Sequence, residues 1–199
     1  ARGLAAVGWM QMTIWEAAWY MRSMPKMMMD MAFEDPKAIY HLDRVTALAI
    51  ARAEAYARAG CDCIYLGDDV GMQERIMMSK DMYRTWLMPR LQRVTAAIKA
   101  INPACVILYH SCGFVEPLID DLLEGGIEVL NPIQPESMDF AEIHAKYGDR
   151  VSFHGAIGTQ TTMPFGTPQD VKDETRRLLD IAGPTGGLLV GPTHIIEPE

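Results

Sequence analysis

From residue 35 onward the chain repeats one pattern, an amphipathic helix that ends near a glycine and is followed by a short apolar strand. In the first repeat Asp35 is the predicted N-cap, Pro36 takes the first helical position and Gly60 ends the helix. The predicted strand 61–69 follows directly. Helices that alternate with strands predict an α/β fold with a parallel sheet and right-handed crossovers.

The later repeats follow the same design. Three further helices are predicted to begin at the capping residues Ser79, Asp139 and Thr167, and the first of them is expected to kink near Pro89. The predicted strands are residues 61–69, 105–110, 127–132, 151–155 and 186–192, with a sixth candidate at 5–9. Because the strands are apolar throughout, both faces of the sheet are expected to be covered.

Two closures of such a sheet agree with the repeat, a doubly wound open sheet and a (β/α)8 barrel. No G-x-G-x-x-G or Walker sequence follows a predicted strand, which weakens a nucleotide-binding fold. Six strands are fewer than eight, as expected for a TIM barrel that is incomplete at its amino terminus. The chain of 199 residues suffices for one domain, which we predict to span residues 1–199 as a fragment without the first strands and the closing helix.

Composition and charge exclude some classes of partner. The net charge is −8 and lysines and arginines form no run, which argues against nucleic acid as the partner. The most apolar window, residues 4–21, is interrupted by Gln11 and Glu16, so no membrane span is predicted. The spacing of the four cysteines forms no disulfide framework, and a reducing cytoplasm is the expected location.

The carboxyl ends of the predicted strands carry the chemically interesting residues. In both closures active sites gather at this edge of the sheet. The segments there are polar, rich in glycine and proline, and contain three of the five histidines: 67–73, 110–113, 131–135, 154–160 and 191–194. This asymmetry between the two edges predicts an active or binding site.

His110 and Cys112 form the leading candidate for a metal site. Residues i and i+2 of a strand point to the same face, so both side chains can converge on one ion. A catalytic zinc uses three protein ligands and keeps one position open, and His194 at the last strand end is the candidate third ligand. The alternative is a hydrogen-bonded pocket histidine beside an inert buried thiol.

Asp68 and Asp69 follow the strand 61–69. Adjacent strand residues point in opposite directions, so we expect Asp69 to face the pocket and its neighbour to anchor the loop. Asp69 and His194 are the predicted catalytic residues. The predicted substrate-binding residues are Asp68, Gln73, Asn131, Gln134, His154 and Gln160. For Asn131 a turn-building role is an equal alternative, and for His154 a hydrogen-bonded core histidine is the stronger one.

Four stretches of the chain, in this order, resemble the uroporphyrinogen decarboxylase superfamily. They are residues 67–91, 110–135, 151–171 and 191–199, and the resemblance covers nearly the whole chain from about residue 15. The resemblance implies the (β/α)8 barrel rather than the open sheet. It also implies one of two chemistries.

The decarboxylases of this superfamily convert four acetate side chains of a tetrapyrrole to methyl groups without metal or cofactor. The other branch consists of cobalamin-dependent methyltransferases that hold zinc with an H-x-C pair and a third ligand on the last strand. His110 and Cys112 match that pair. The third ligand in the thiol-methylating members is typically cysteine, whereas His194 stands here.

The methyltransferase branch is the better match. A poly-anionic tetrapyrrole calls for cations in the pocket, and the strand-end segments offer none. We therefore expect zinc-assisted methyl transfer between a corrinoid protein, which carries cobalamin, and a small thiol, methoxy or methylamine substrate. The alternative is cofactor-free decarboxylation of uroporphyrinogen III in porphyrin and heme biosynthesis, with Asp69 and His194 in the pocket. A third interpretation is a non-catalytic, incomplete barrel that needs partner chains, and a homodimer is a further expectation.

Overall fold

The computed structural model describes residues 3–196, which contain six parallel strands in one sheet. The strands are β1 (Val7–Gln11), β2 (Cys63–Gly67), β3 (Val106–His110), β4 (Val129–Asn131), β5 (Ser152–Ile157) and β6 (Leu188–Pro192). Their order in the sheet is the order in the chain. All five predicted strands and the sixth candidate are confirmed.

Helices connect the strands. They are α1 (Trp15–Arg22), α2 (Met24–Ala32), α3 (Pro36–Arg58), α4 (Lys80–Trp86), α5 (Met88–Ile101), α6 (Ile119–Glu124), α7 (Phe140–Tyr147), α8 (Thr162–Phe165) and α9 (Pro168–Ala182). A 3₁₀ turn over Glu116–Leu118 leads into α6. The helix expected after Ser79 is divided at Leu87 into α4 and α5, and Pro89 lies in the first turn of the second helix, where proline is tolerated.

The four predicted capping residues all cap helices. The side chains of Asp35, Ser79 and Asp139 accept the backbone N–H of Lys37, Met82 and Glu142 at 2.9, 3.1 and 3.0 Å. Thr167 forms a reciprocal capping box with Asp170, whose carboxylate accepts the Thr167 N–H at 2.7 Å. Each cap stabilises its helix by about 1 kcal/mol.

Two compact units make up the described chain. The first comprises residues 3–69, 78–110 and 117–127, and its core contains Met10, Trp15, Ile64 and Leu66, all fully buried. It holds the adjacent strands β1, β2 and β3, in which Gly67 lies opposite His110.

The second unit comprises residues 70–77, 111–116 and 128–196. In its core the rings of Phe140 and Phe153 meet edge to face at 5.5 Å. This unit holds β4, β5 and β6, together with α7, α8 and α9.

The expectation that both sheet faces are covered holds for the inner strands and fails for the outer two. The last four residues of both β2 and β3 are buried. On β1 the side chain of Trp9 is 56% exposed, and on β6 that of Leu189 is 65% exposed. Within residues 3–196 each of these strands has a neighbouring strand on one side only, so fewer elements cover its side chains.

The apolar amino-terminal region folds into α1 and α2, which the strand–helix repeat does not predict. In the Met-rich α2, Met27 and Met31 are buried four residues apart, while Met29 is 56% exposed. This is the spacing of an amphipathic helix. Within residues 3–196 no helix combines the length and the apolar character that crossing a bilayer requires.

Candidate metal centre

His110 ends β3 with its side chain buried. It lies opposite Gly67 in the β2–β3 ladder, where a Cβ on the glycine would come within 2.8 Å of the His110 Cβ. The missing side chain of Gly67 therefore makes room for the histidine. The His110 Nδ1 lies 3.0 Å from the hydroxyl of Tyr65, and its Nε2 lies 3.7 Å from the Asp69 Oδ1.

A tight turn follows that places Cys112. The Ser111 hydroxyl accepts the Val70 N–H at 3.0 Å, which fixes the start of the turn. Gly113 has a φ of +78°, and a Cβ there would lie 2.5 Å from the Met72 carbonyl oxygen. Its N–H donates to the Gln134 Oε1 at 3.0 Å. Only glycine fits this position without strain.

His194 follows β6 and is exposed, whereas Thr193 beside it is buried. The Thr193 N–H donates to the Ile157 carbonyl at 2.9 Å. Its hydroxyl accepts the Thr159 N–H at 3.3 Å and lies 3.0 Å from the Thr159 hydroxyl. These bonds tie the backbone beside His194 to the end of β5.

The predicted ligand atoms of His110, Cys112 and His194 all lie within 4.8 Å of one another. Two nitrogens and one sulfur form a donor set that suits zinc, whose tetrahedral ligands lie about 3.5 Å apart. His110 is buried, Cys112 is half-buried and His194 is exposed. The donor set fits a zinc ion. His194 is the exposed ligand and therefore has the most freedom to move towards the ion.

Asp68 and Asp69 occupy different environments. The Asp68 carboxylate is buried and accepts the backbone N–H groups of Ile14 and Glu16 at 2.9 and 3.0 Å, so it anchors the start of α1. Desolvation raises the pKa of Asp68 to about 7, although the amide hydrogen bonds favour the charged form. Asp69 has a 39% exposed side chain near His110. A substrate-binding role for Asp68 stays a prediction.

Glu16 is a buried acid beside this group that the sequence patterns did not single out. Its Oε2 accepts the Asp69 N–H at 3.2 Å, and the residue is 8% exposed. Burial, and next the Asp69 carboxylate, raise the pKa of Glu16. The signal in the sequence is a single acid inside the apolar window 4–21, a pattern that excludes a membrane span but does not by itself predict a site.

Asn131 and His154 contact each other. The Asn131 Nδ2 donates to the His154 carbonyl at 2.8 Å and lies 3.2 Å from the His154 Nδ1. Gln134 is buried and supports the Gly113 turn. Substrate contacts by these three side chains stay predictions, and each has a structural partner.

Gln73 and Gln160 are exposed and converge on Glu136, a residue that the sequence patterns did not single out. The Gln73 Nε2 donates to the Glu136 carbonyl at 3.0 Å. The Glu136 Oε1 accepts the Gln160 N–H at 3.1 Å and the Thr161 hydroxyl at 3.0 Å. Glu136 thus joins the loops after β4 and β5. Substrate binding by Gln73 and Gln160 stays a prediction.

A hairpin over residues 70–77 follows β2 and carries Arg75. The Phe114 N–H donates to the Met72 carbonyl at 2.7 Å, so the hairpin pairs with the segment that follows Cys112. Arg75 on this hairpin helps to line a cavity of about 320 Å³ with Met72, Gln73 and Glu74. Arg75 lies two residues beyond the strand-end segment 67–73, so the expectation that these segments carry no cation stays a prediction about the pocket.

Comparison of the sequence with known proteins identifies a family. A model of the uroporphyrinogen decarboxylase (URO-D) family matches residues 7–199. The chain belongs to the URO-D family. The predicted family resemblance is confirmed.

URO-D relatives with two kinds of activity are similar to the chain. It is 32% identical over 139 residues to the methylcobamide:CoM methyltransferase MtaA of Methanosarcina barkeri, and the match covers 70% of this chain and 39% of the relative. It is 26% identical over 155 residues to a uroporphyrinogen decarboxylase of Pelodictyon phaeoclathratiforme, with 77% and 41% covered. The chain thus spans about 40% of the length of these relatives.

A solved structure has the same fold over nearly the whole of this chain. A methyltransferase from Methanosarcina mazei superposes with a TM-score of 0.82 at 24% sequence identity, covering 98% of this chain and 54% of that chain. The predicted α/β, TIM-barrel fold class is confirmed. At this identity the likeness shows the fold alone.

Proposed function

We propose that this URO-D family protein is a methyltransferase whose metal centre consists of His110, Cys112 and His194. The observation that carries the proposal is the approach of the three ligand atoms to within 4.8 Å of one another. The similarity to methylcobamide:CoM methyltransferases supports it. The methyl group would pass between a corrinoid protein, which carries the cobalamin, and a small thiol, methoxy or methylamine substrate.

Each residue of the centre has a separate task. Bound zinc would hold a substrate thiol as the thiolate nucleophile, or polarise an ether oxygen. A bound zinc would be held by the Cys112 thiolate and by one unprotonated ring nitrogen of each histidine. The half-buried Asp69 carboxylate lies 3.7 Å from the His110 Nε2 and would accept the proton that the substrate thiol loses.

The surrounding chain keeps these groups in place. Gln134 and Ser111 hold the turn that carries Cys112, and Thr193 holds the strand end that carries His194. The Glu16 carboxylate accepts the Asp69 N–H, and the Asp68 carboxylate accepts the Glu16 N–H. A homodimer and a cytoplasmic location complete the proposal as predictions from the sequence.

The second candidate function is cofactor-free decarboxylation of uroporphyrinogen III in porphyrin and heme biosynthesis. Arg75 on the 70–77 hairpin favours it, because this substrate presents many carboxylates. Relatives named uroporphyrinogen decarboxylase also match the chain, at 23–26% identity. In this alternative Asp69 and His194 line the substrate pocket. The third interpretation, a barrel that needs partner chains, is favoured by exposed Trp9 and Leu189 on the outer strands.

Metal analysis separates the first two candidates. The full-length protein, Cys112→Ala and the matched control Cys63→Ala are purified after zinc-supplemented expression, and their zinc is measured by mass spectrometry. We expect about one zinc per chain in the wild type and the control, and none in Cys112→Ala. Absence of zinc from all three would contradict the proposal, and porphyrinogen decarboxylation would become the activity to assay.

A further inference from the structure

Tyr65 on β2 hydrogen-bonds the histidine of the candidate metal centre. Its hydroxyl lies 3.0 Å from the His110 Nδ1, and the two residues are 8% and 3% exposed. We propose that Tyr65 is a positioning residue that makes Nε2 the metal-binding nitrogen of His110. This inference rests on the proposed metal centre and names a residue that the sequence patterns did not single out.

The proton count of the imidazole leads to this assignment. A neutral histidine carries one N–H, and the nitrogen without it offers the lone pair that a metal needs. The Tyr65 hydroxyl lies on the Nδ1 side of the ring. In the metal-bound form Nδ1 would keep its proton and donate it to the tyrosine oxygen. Nε2 would then offer its lone pair to the metal, and it lies 3.7 Å from the Asp69 Oδ1.

The tyrosine is itself held in place. Its ring stacks on Trp9 of β1 with 4.3 Å between ring centroids and 13° between ring planes. The backbone of Tyr65 is paired with both neighbouring strands, opposite Trp9 and Leu108. A hydroxyl on a ring fixed in this way sets the rotation of His110 about its side-chain bonds.

The expected loss of zinc affinity follows from what the hydrogen-bond partners of metal-bound histidines usually contribute. Loss of the group that orients a metal-bound histidine typically weakens metal affinity about 10–100-fold. Tyr65→Phe removes only the hydroxyl and keeps the stack on Trp9. Tyr56→Phe is the matched control, because its hydroxyl contacts the Trp9 carbonyl at 3.4 Å.

The first experiment measures zinc affinity of the full-length protein by competition with a chromophoric chelator. We expect Tyr65→Phe to bind zinc about 10–100-fold more weakly than wild type, and Tyr56→Phe to bind within about twofold of it. With Co²⁺ in place of zinc, the thiolate-to-metal absorption band should persist in Tyr65→Phe, because Cys112 remains a ligand. Equal affinity of Tyr65→Phe and wild type would overturn the role of Tyr65 and leave the metal centre intact.

The second experiment needs no variant. Nitrogen NMR of the zinc-loaded wild type, labelled with ¹⁵N-histidine, identifies which nitrogen of His110 is bonded to the metal. We expect a metal-bound Nε2 and a protonated Nδ1 whose hydrogen exchanges slowly. A metal-bound Nδ1 would overturn the inference even if Tyr65→Phe fails to fold. A wild type that binds no zinc at all would overturn both this inference and the proposed function.

Discussion

Substitution of Asp68 by asparagine tests the buried acid beneath the candidate metal centre. The carboxylate is 3% exposed and anchors the first backbone amides of α1. Desolvation raises its pKa to about 7 in the folded protein, against an ordinary value of 3.8. In the unfolded chain this burial is lost. Between these two pH values the folded protein therefore holds a proton that the unfolded chain has released.

The difference in bound protons between the folded and unfolded states sets the sign and the size of the change in stability with pH. Because the folded state binds more protons, the free energy of unfolding falls as pH rises through this window. The shift is about 3 pKa units at 1.36 kcal/mol each, so the wild type loses up to about 4 kcal/mol. The side chain introduced by Asp68→Asn has no titrating proton, and its amide oxygen can accept both backbone amides that the Asp68 Oδ1 accepts now.

The pH dependence of stability is measured by urea unfolding. Both full-length proteins are unfolded at a series of pH values with a chelator present. We expect the stability of Asp68→Asn relative to wild type to rise by up to about 4 kcal/mol between about pH 4 and pH 7.5. Asp149→Asn is the control, because that side chain is 84% exposed. A difference between Asp68→Asn and wild type that does not change with pH would refute the reasoning.

Three further substitutions, the first with Gly60→Ala as its control, test the hydrogen bonds and the glycine turn that support the site and the fold. Gly113→Ala combines a φ of +78° with a clash on the Met72 carbonyl, whereas Gly60→Ala has a φ of +79° and open space. In urea unfolding we expect Gly60→Ala to lose about 1–2 kcal/mol and Gly113→Ala clearly more, and equal losses would contradict the clash. Gln134→Leu leaves the Gly113 N–H without its acceptor and should cost about 1–3 kcal/mol in the same assay; an unchanged stability would show that the turn does not need it. Thr167→Ala should cost about 1 kcal/mol by thermal unfolding, and no change in melting temperature would contradict the capping box.

Local sequence patterns predicted most of the fold. Asp35, Ser79, Asp139 and Thr167 cap helices because a polar side chain next to a helix start acts on amides two or three residues away. Apolar runs predicted the inner strands for an equally local reason. The outer strands differ, since exposure of Trp9 depends on which elements lie beside β1, and that is a property of the tertiary structure.

The metal ligands of the candidate site could be predicted from the sequence, whereas the residues that hydrogen-bond to them or lie beside them could not. His110 and Cys112 are two residues apart, so their common location follows from strand geometry, and His194 follows from the shared edge of parallel strands. Tyr65 and Glu16 contact residues 45 and 53 positions away in the chain. No spacing rule connects positions so distant, and only the folded chain reveals these contacts.

The most direct measurement is zinc-edge X-ray absorption on the zinc-loaded, full-length protein. The account predicts one sulfur ligand at about 2.3 Å and two imidazole nitrogens at about 2.0–2.1 Å in the wild type, and no zinc-edge signal from Cys112→Ala, which is expected to bind no zinc. A spectrum without sulfur in the wild type, or an unchanged sulfur signal in Cys112→Ala, would contradict a metal centre formed by His110, Cys112 and His194.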